Sequence, residues 1–349
     1  MPTPATPADL TRRQFVQAAI PLTALAAGAS TLPATRPAGT ALVCDELFKQ
    51  HLTGPGHPES PDRCDAVMNG LREARLMDRV AMLKARDADE ESLRMVHTAD
   101  YIRLVRNEVG QGRRSLSTGD TRISQKTYDA AVRAAGAVLT AVEAVMDGRA
   151  RNAFCVVRPP GHHASAARGM GFCVFNNIAI GARHAQRRHR IDRVLIVDWD
   201  VHHGNGTQDT FWSDGSVLFF DTHQSPLYPG TGGADETGEG KGQGRIINCP
   251  LPAGTGGKRI LDLYRDKLVP AAEQFRPQLV MISAGFDSRK DDPLGGFQLT
   301  DEDFAQMTRV VLGLAQRHAG GRVVSVLEGG YGLPGLASAA AAHVGAMAN

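Results

Sequence analysis

The chain has 349 residues and a formal net charge of +2 at pH 7, and 42% of its residues are hydrophobic. This nearly neutral balance, without a long block of lysine and arginine, argues against a nucleic-acid partner. The five cysteines form no Cys-x-x-Cys pair, so we expect buried free thiols rather than a disulfide framework. The apolar runs are too short for a permanent transmembrane helix, so we expect no stable membrane anchor.

Residues 1–39 differ in composition from the rest of the chain. They contain the paired arginines Arg12 and Arg13, an apolar run over 18–29 and a spacer with prolines. This combination resembles a twin-arginine export signal, which carries folded proteins across the membrane, so we expect a periplasmic location. A disordered tail with a chance arginine pair is the alternative. The folded domain is expected over residues 40–349.

Segments with strand and helix patterns alternate through the rest of the chain. Strands are predicted near 41–44, 154–157, 194–197, 217–220, 279–283 and 323–327, and helices near 60–76, 128–146, 258–275 and 300–318. Such alternation predicts a single α/β domain with a mainly parallel sheet and helices on both faces. The glycine-rich stretch 230–244 is too long for a turn, so we expect it to border a site. His343 is predicted on a helix surface.

The stretch 194–208 changes abruptly from an apolar strand to polar side chains. Asp198, Asp200, His202 and Asn205 follow four aliphatic residues. Asp200 and His202 are two positions apart, so in an extended segment they point to the same side and offer half of a divalent-metal site. A solvated loop is the alternative for this motif alone. The glycines on both sides of Asn205 favour a backbone that folds tightly around a ligand.

Polar clusters also follow four other predicted strands. They contain His162 and His163, Asp221 and His223, Asp287, and the segment from Glu328 to Tyr331. Because parallel strands end at the same edge of a sheet, we expect these clusters to converge. Asp287 then adds a second carboxylate to Asp200 and His202. Three protein ligands leave one position for water or substrate, which is typical of a catalytic metal.

The order of these motifs resembles the zinc-dependent histone deacetylase family, closest to its class II and bacterial acetylpolyamine-amidohydrolase-like branches. The resemblance extends from about residue 41 to the C-terminus. The motifs that carry it lie at 56–59, 158–163, 171–172, 198–208, 228–232, 283–287, 292–295 and 328–331. The family implies the arginase-deacetylase fold and the hydrolysis of an acetyl group from an amine such as acetyl-lysine.

The resemblance also implies roles for the matching residues. Zn²⁺, or alternatively Fe²⁺, would be bound by Asp200, His202 and Asp287. The proton transfers would fall to the histidine pair, with His162 supported by Asp198 and His163 supported by Asn205. A neutral amide partner leaves His163 better suited to act as a base. Tyr331 would donate a hydrogen bond to the developing oxyanion.

The same family positions describe the surroundings of the site. Gly171, Phe172, Tyr228 and Leu294 would line the substrate tunnel. The main-chain carbonyls of Asp198, Asp200 and His202 would hold a K⁺ ion. This chain has Asp221 where the family commonly has serine, which is a departure at that cation site.

Several alternatives remain open. An acetylpolyamine or small acetamide is a second substrate class, but acetylpolyamine-selective relatives carry glutamate at the position of Leu294. We therefore expect a preference for acetyl-lysine-like or other neutral-chain acetamides, unless Glu236 or Glu239 on the glycine-rich stretch supplies the missing charge. A two-metal ureohydrolase is disfavoured because residues 203–205 add no carboxylate. A catalytically silent binder of acetylated ligands is disfavoured by the intact set of motifs. Assembly into a homo-oligomer is also left open.

Overall fold

The computed structural model describes residues 38–349. The expected export signal and nearly all of its spacer lie outside these described residues. Within residues 38–349, no helix combines the length and the apolar composition that crossing a bilayer requires.

An eight-stranded sheet lies at the centre of the described residues. Its strands are β1 (Ala38–Val43), β2 (Val80–Leu83), β3 (Ala150–Cys155), β4 (Val194–Asp198), β5 (Val217–Gln224), β6 (Ile246–Leu251), β7 (Leu279–Ala284) and β8 (Val323–Leu327). Their order across the sheet is β2-β1-β3-β8-β7-β4-β5-β6, and every neighbouring pair is parallel. The predicted α/β fold with a mainly parallel sheet is confirmed.

The central strands are buried on both faces. Every residue of β4, β7 and β8 is buried, and most are aliphatic, which is the pattern of a parallel strand covered by helices on both sides. The sequence patterns miss the two edge strands. Strand β2 is apolar but only four residues long, and two of them are exposed. The apolar run of β6 is interrupted by Asn248 and Pro250, so neither edge strand has the long buried run of a central strand.

Ten α-helices accompany the sheet within the described residues. They are α1 (Asp62–Glu73), α2 (Glu90–Leu93), α3 (Ala99–Gly110), α4 (Thr127–Met146), α5 (Asn177–His189), α6 (Asn205–Phe211), α7 (Gly257–Leu263), α8 (Val269–Phe275), α9 (Asp301–His318) and α10 (Leu333–Met347). The predicted helix over 258–275 is α7 and α8 joined by one π-helical turn, Tyr264–Leu268. Helix α4 packs on α5, and α10 packs on both α1 and α9.

The prediction for His343 is wrong, because its side chain is fully buried. Its Nδ1 lies 2.7 Å from Thr308 Oγ1 and its Nε2 lies 2.9 Å from Ser325 Oγ. Burial lowers the pKa of His343 to about 3. Helix α10 is rich in alanine on all sides, and a helix of that composition packs inside the protein rather than at its surface. All five cysteines are free and four are buried, as predicted.

Candidate active site

Polar side chains gather at the carboxyl ends of five neighbouring strands. Strands β3, β8, β7, β4 and β5 are consecutive in the sheet, although they are not consecutive in the chain. The register places Asp198, the last residue of β4, between Ser283 of β7 and Asp221 of β5. The predicted clusters therefore meet at one edge, where open parallel sheets hold their ligands.

Asp200, His202 and Asp287 form a compact group of potential metal ligands. All three are buried, and one ligand atom from each lies within 4.8 Å of the others. His202 Nδ1 is 3.0 Å from Asp200 Oδ1 and 3.2 Å from Asp287 Oδ2. The Val201 backbone N–H donates to Asp287 Oδ1 at 2.8 Å. This hydrogen bond fixes the carboxylate that approaches from β7 against the segment that follows β4.

The chemistry of these residues fits a divalent cation. Burial and the charge of Asp200 raise the pKa of Asp287 to about 7, so the two carboxylates repel each other, and a cation between them would relieve that repulsion. A Cβ atom at Gly329 would overlap both carboxylates, and a Cβ at Gly285 would overlap Asp200. The glycines therefore keep space around the ligands. Two carboxylates and one imidazole suit zinc or iron.

His162 and His163 are adjacent in the chain but have different partners. His162 Nδ1 lies 3.0 Å from Asp198 Oδ2. His163 Nδ1 lies 2.8 Å from the amide oxygen of Asn205. The two ring centroids are 4.0 Å apart, and the His163 ring lies 6.0 Å from that of His202. The structure thus places both imidazoles beside the ligand group, each held by the partner that the family motif implies.

The different partners separate the pKa values of the two histidines. Burial lowers the pKa of His162, but the charges of Asp200 and Asp198 outweigh it and raise the pKa well above its ordinary value. Burial, together with the positive charge of His162, lowers the pKa of His163 well below its ordinary value. One protonated and one neutral imidazole side by side are what a general acid and a general base require.

Arg63 supports the segment that carries Tyr331, a role that the sequence motifs do not indicate. The guanidinium donates to the Gly330 carbonyl at 2.7 Å and to the Glu328 carbonyl at 2.5 Å. It also lies 5.0 Å from the centroid of the Tyr331 ring. Because Arg63 is fully buried, it has little freedom to move, and it restricts the path of residues 328–331 above the metal ligands.

Asp292 is a second supporting residue without an assigned role in the sequence motifs. Its Oδ2 atom accepts hydrogen bonds from the backbone N–H groups of Tyr331 at 2.7 Å and Gly332 at 2.9 Å. Its Oδ1 atom accepts from the Leu294 N–H at 3.0 Å. One carboxylate therefore links the backbone of Tyr331 to the backbone of Leu294. The N–H groups that it joins belong to segments far apart in the sequence, and a backbone N–H is present in nearly every residue type. A sequence motif therefore does not reveal this link.

Gly171 and Phe172 form a sharp turn beside the site. Their φ angles are 56° and 66°, which lie in a backbone region that residues other than glycine rarely adopt. The Gly171 N–H donates to Asp120 Oδ1 at 2.7 Å, and this contact holds the turn in place. A Cβ at Gly171 would collide with the His163 ring. The turn leaves the Phe172 ring 5.9 Å from the ring of Tyr331.

Tyr228, another expected tunnel residue, lies at the same opening. The Tyr228 ring is 5.3 Å from that of His163 and 6.3 Å from that of His202, and Tyr228 is 37% exposed. Leu294 is half-buried and is linked to Tyr331 through Asp292. The aromatic rings thus stand between the buried ligands and solvent, which is the placement expected for tunnel walls.

Comparisons with known proteins agree with this architecture. The model of the histone deacetylase domain matches residues 57–347. A probable deacetylase of Archaeoglobus fulgidus is 40% identical over 85% of this chain and 82% of its own length. A histone deacetylase-like amidohydrolase of Pseudomonas aeruginosa is 39% identical over 84% of this chain and 81% of its own. The human polyamine deacetylase HDAC10 is 43% identical over 80% of this chain and 43% of its own. The crystal structure of the HDA15 HD domain superposes with a TM-score of 0.85, at 36% identity over 89% of this chain and 90% of that one.

Proposed function

The chain belongs to the histone deacetylase family and is a metal-dependent deacetylase, and we propose that it uses Zn²⁺ to remove acetyl groups from acetyl-lysine-like amines. The observation that carries this proposal is the meeting of three metal ligands, a histidine pair with unlike partners and Tyr331 at one sheet edge. Fe²⁺ is the second candidate metal, because the same mixed oxygen and nitrogen ligands accept it.

The histidine pair would move the protons of the reaction. Asp200, His202 and Asp287 would hold the cation, which would supply Lewis-acid chemistry toward the acetyl carbonyl and the attacking water. His163, whose partner is the neutral Asn205 amide, would take the proton of that water. His162, whose partner is the Asp198 carboxylate, would hold a proton and deliver it to the leaving amine.

Tyr331 would stabilise the negative charge that develops on the acetyl oxygen. Its backbone is fixed by Asp292 and its ring lies under the Arg63 guanidinium, so the hydroxyl is held in one place before substrate arrives. A donor that is positioned in advance contributes about 3 kcal/mol to such a transition state. The complete set of groups also argues against a silent binder of acetylated ligands.

The entrance favours a substrate chain without an ammonium group. Leu294 offers no charge, and a secondary ammonium facing it would lose about 1–3 kcal/mol of hydration. Arg114 and Arg122 line a cavity at the entrance and would repel a cation. A hydrogen bond from Gln208 Nε2 to Glu236 at 2.6 Å leaves that carboxylate charged, and its attraction for a cation offsets only part of this repulsion. An acetyl-lysine-like substrate is therefore favoured over an acetylpolyamine.

A comparison of substrates tests this proposal. We expect purified, zinc-loaded protein to hydrolyse an acetyl-lysine peptide with a higher kcat/KM than N8-acetylspermidine. An advantage of tenfold or more for the polyamine would contradict the argument from Leu294. Failure to release acetate from either compound or from small acetamides, with the metal bound, would leave the silent binder as the better description.

We also propose a K⁺ ion held by the main-chain carbonyls of Asp198, Asp200 and His202 beside the Asp221 carboxylate. In support, Asp198 and Asp221 are fully buried neighbours in the sheet register, and two buried negative charges favour a cation nearby. We expect a higher Tm in KCl than in choline chloride at equal ionic strength. An Asp221→Ser variant should retain part of this difference. Equal Tm values in the two salts would contradict the K⁺ site.

We further propose export by the twin-arginine route, on the basis of residues 12–29 alone. Replacement of Arg12 and Arg13 with lysine should leave the protein inside the bacterial cytoplasm, because that route recognises the arginine pair. Arg36→Lys, in the spacer, is the matched control and should not change the distribution on cell fractionation. An unchanged distribution of the double variant would favour the disordered-tail interpretation.

A further inference from the structure

We propose that a cavity beside the tunnel mouth binds a carboxylate of the substrate through Arg114 and Arg122. The substrate class is then an acetylated amino acid, or a peptide end, that carries a free carboxylate outside the tunnel. This inference rests on the proposed deacetylase function and adds the chemical feature by which the entrance would select its substrate.

The cavity adjoins the wall of the tunnel. It has a volume of about 680 Å³, and it is lined by the segment 52–58 together with Arg114 and Arg122. His57 lies in this lining, and its ring packs edge-on against Phe172 with the centroids 4.8 Å apart. Phe172 in turn contacts the ring of Tyr331. A group leaving the tunnel on the Phe172 side therefore reaches this cavity first.

Both arginines lie on one short hairpin that is fixed to the tunnel. The Ile123 N–H donates to the Arg114 carbonyl at 3.1 Å, and Ser115 and Arg122 form an antiparallel bridge. At the tip of the hairpin, Asp120 accepts the Gly171 N–H at 2.7 Å. The hairpin thus places Arg114 and Arg122 in the lining of one cavity and connects their backbone to the turn that positions Phe172.

Neither guanidinium has an acidic partner among residues 38–349, where no carboxylate oxygen lies within 4.0 Å of Arg114 or Arg122. Arg113, the next residue on the same hairpin, does have one, because its Nη1 lies 3.0 Å from Glu108 Oε1. Two positive charges without acidic partners in the lining of one cavity favour an anion there. A guanidinium presents paired N–H donors that match the two oxygens of a carboxylate.

Two substrates that differ only in charge test the proposal: 6-acetamidohexanoate and its uncharged amide, 6-acetamidohexanamide. We expect the zinc-loaded full chain to favour the acid by about tenfold in kcat/KM, which is the size expected of two partly solvated ion pairs. The difference should lie mainly in KM, because the carboxylate is bound alike in the ground state and the transition state. Added salt should reduce the preference for the acid, because it screens the ion pairs.

Glutamine variants distinguish carboxylate binding by Arg114 and Arg122 from a general effect of the positive charge on the hairpin. Arg114→Gln/Arg122→Gln should bring the ratio of acid to amide close to one, mainly by raising KM for the acid. Arg113→Gln removes one charge from the same hairpin and should keep the wild-type ratio. The single variants Arg114→Gln and Arg122→Gln should each lower the ratio, so the test stands even if the double variant fails to fold.

The outcomes also separate this inference from the proposed function. Hydrolysis of both compounds at equal kcat/KM, or an unchanged ratio in all three glutamine variants of Arg114 and Arg122, would overturn the carboxylate site and leave the deacetylase intact. Hydrolysis of neither compound nor of an acetyl-lysine peptide would overturn the proposed function itself. If the acid is preferred, Nε-acetyl-lysine and a peptide ending in acetyl-lysine, each compared with its amide, would show which kind of molecule supplies the carboxylate.

Discussion

The floor and the rim of the site are built differently. The floor comprises the metal ligands Asp200, His202 and Asp287 with the pair His162 and His163. The rim comprises residues 52–58, 114–123 and 228–236 with Leu294. Floor residues are at most 9% exposed, whereas Leu52 and Tyr228 on the rim are 58% and 37% exposed. Buried charges require matched partners, and exposed ones do not. The floor is therefore constrained to one chemistry, while the rim is free to select different substrates.

The largest effect is expected from removing a ligand of the floor. Asp200→Ala should lose bound Zn²⁺ and reduce deacetylation to background on every substrate, because only two protein ligands remain. Elemental analysis and acetate release measure both losses. Asp192→Ala, an exposed carboxylate before β4, is the control and should keep metal and activity. Undiminished zinc in the Asp200 variant would contradict the ligand assignment.

Tyr331→Phe should keep fold and metal but lose about 100-fold in kcat, because only the hydrogen bond to the developing oxyanion is removed. Steady-state kinetics together with zinc content measure this. The loss should be the same for acetyl-lysine peptides and for small acetamides if the floor acts independently of the rim. A loss confined to KM would instead indicate that Tyr331 binds substrate.

Asp292→Ala tests the link between floor and rim. We expect about a tenfold loss in kcat, since two N–H groups lose the acceptor that fixes Tyr331. The loss should largely disappear when the same change is made in Tyr331→Phe, because a positioning residue has no effect without the group it positions. Asp291→Asn removes the neighbouring charge and tolerates the local φ of 69°, so it serves as the control. Full additivity of the two losses would contradict the positioning role.

Leu294→Glu should have the smallest effect and change selectivity alone. The new carboxylate should raise kcat/KM for N8-acetylspermidine relative to an acetyl-lysine peptide by about fivefold, through attraction of the substrate ammonium at an exposed site. Leu294→Gln has nearly the same size without charge and should leave the ratio unchanged. Equal changes on both substrates would mean that this position does not select between them.

Much of the floor can be predicted from the sequence, because its residues directly follow strands with continuous apolar patterns. Asp200, His202 and Asp287 are examples: each lies within a few residues of the end of β4 or β7. The parallel topology then brings them together without further information. The sheet itself is predictable for the same reason, except at its edges, where β2 has only four residues and the apolar run of β6 is interrupted by Asn248 and Pro250.

The supporting residues are less visible in the sequence. Arg63 and Asp292 act on backbone groups of residues 328–332, and Asp120 acts on the N–H of Gly171. Each contact joins segments distant in the chain, and a main-chain N–H or carbonyl has no signature in the amino-acid type. For His343, the alanine content of α10 was the available signal for burial.

The place of β8 in the sheet has a consequence for folding. Among the described strands it comes last in sequence, yet it lies in the middle of the sheet, between β3 and β7. The groups β2-β1-β3 and β7-β4-β5-β6 meet only through β8, so each has an unpaired edge until β8 is inserted. Because Tyr331 follows the end of β8 by four residues, we expect the insertion that completes the sheet also to bring Tyr331 to the reaction centre.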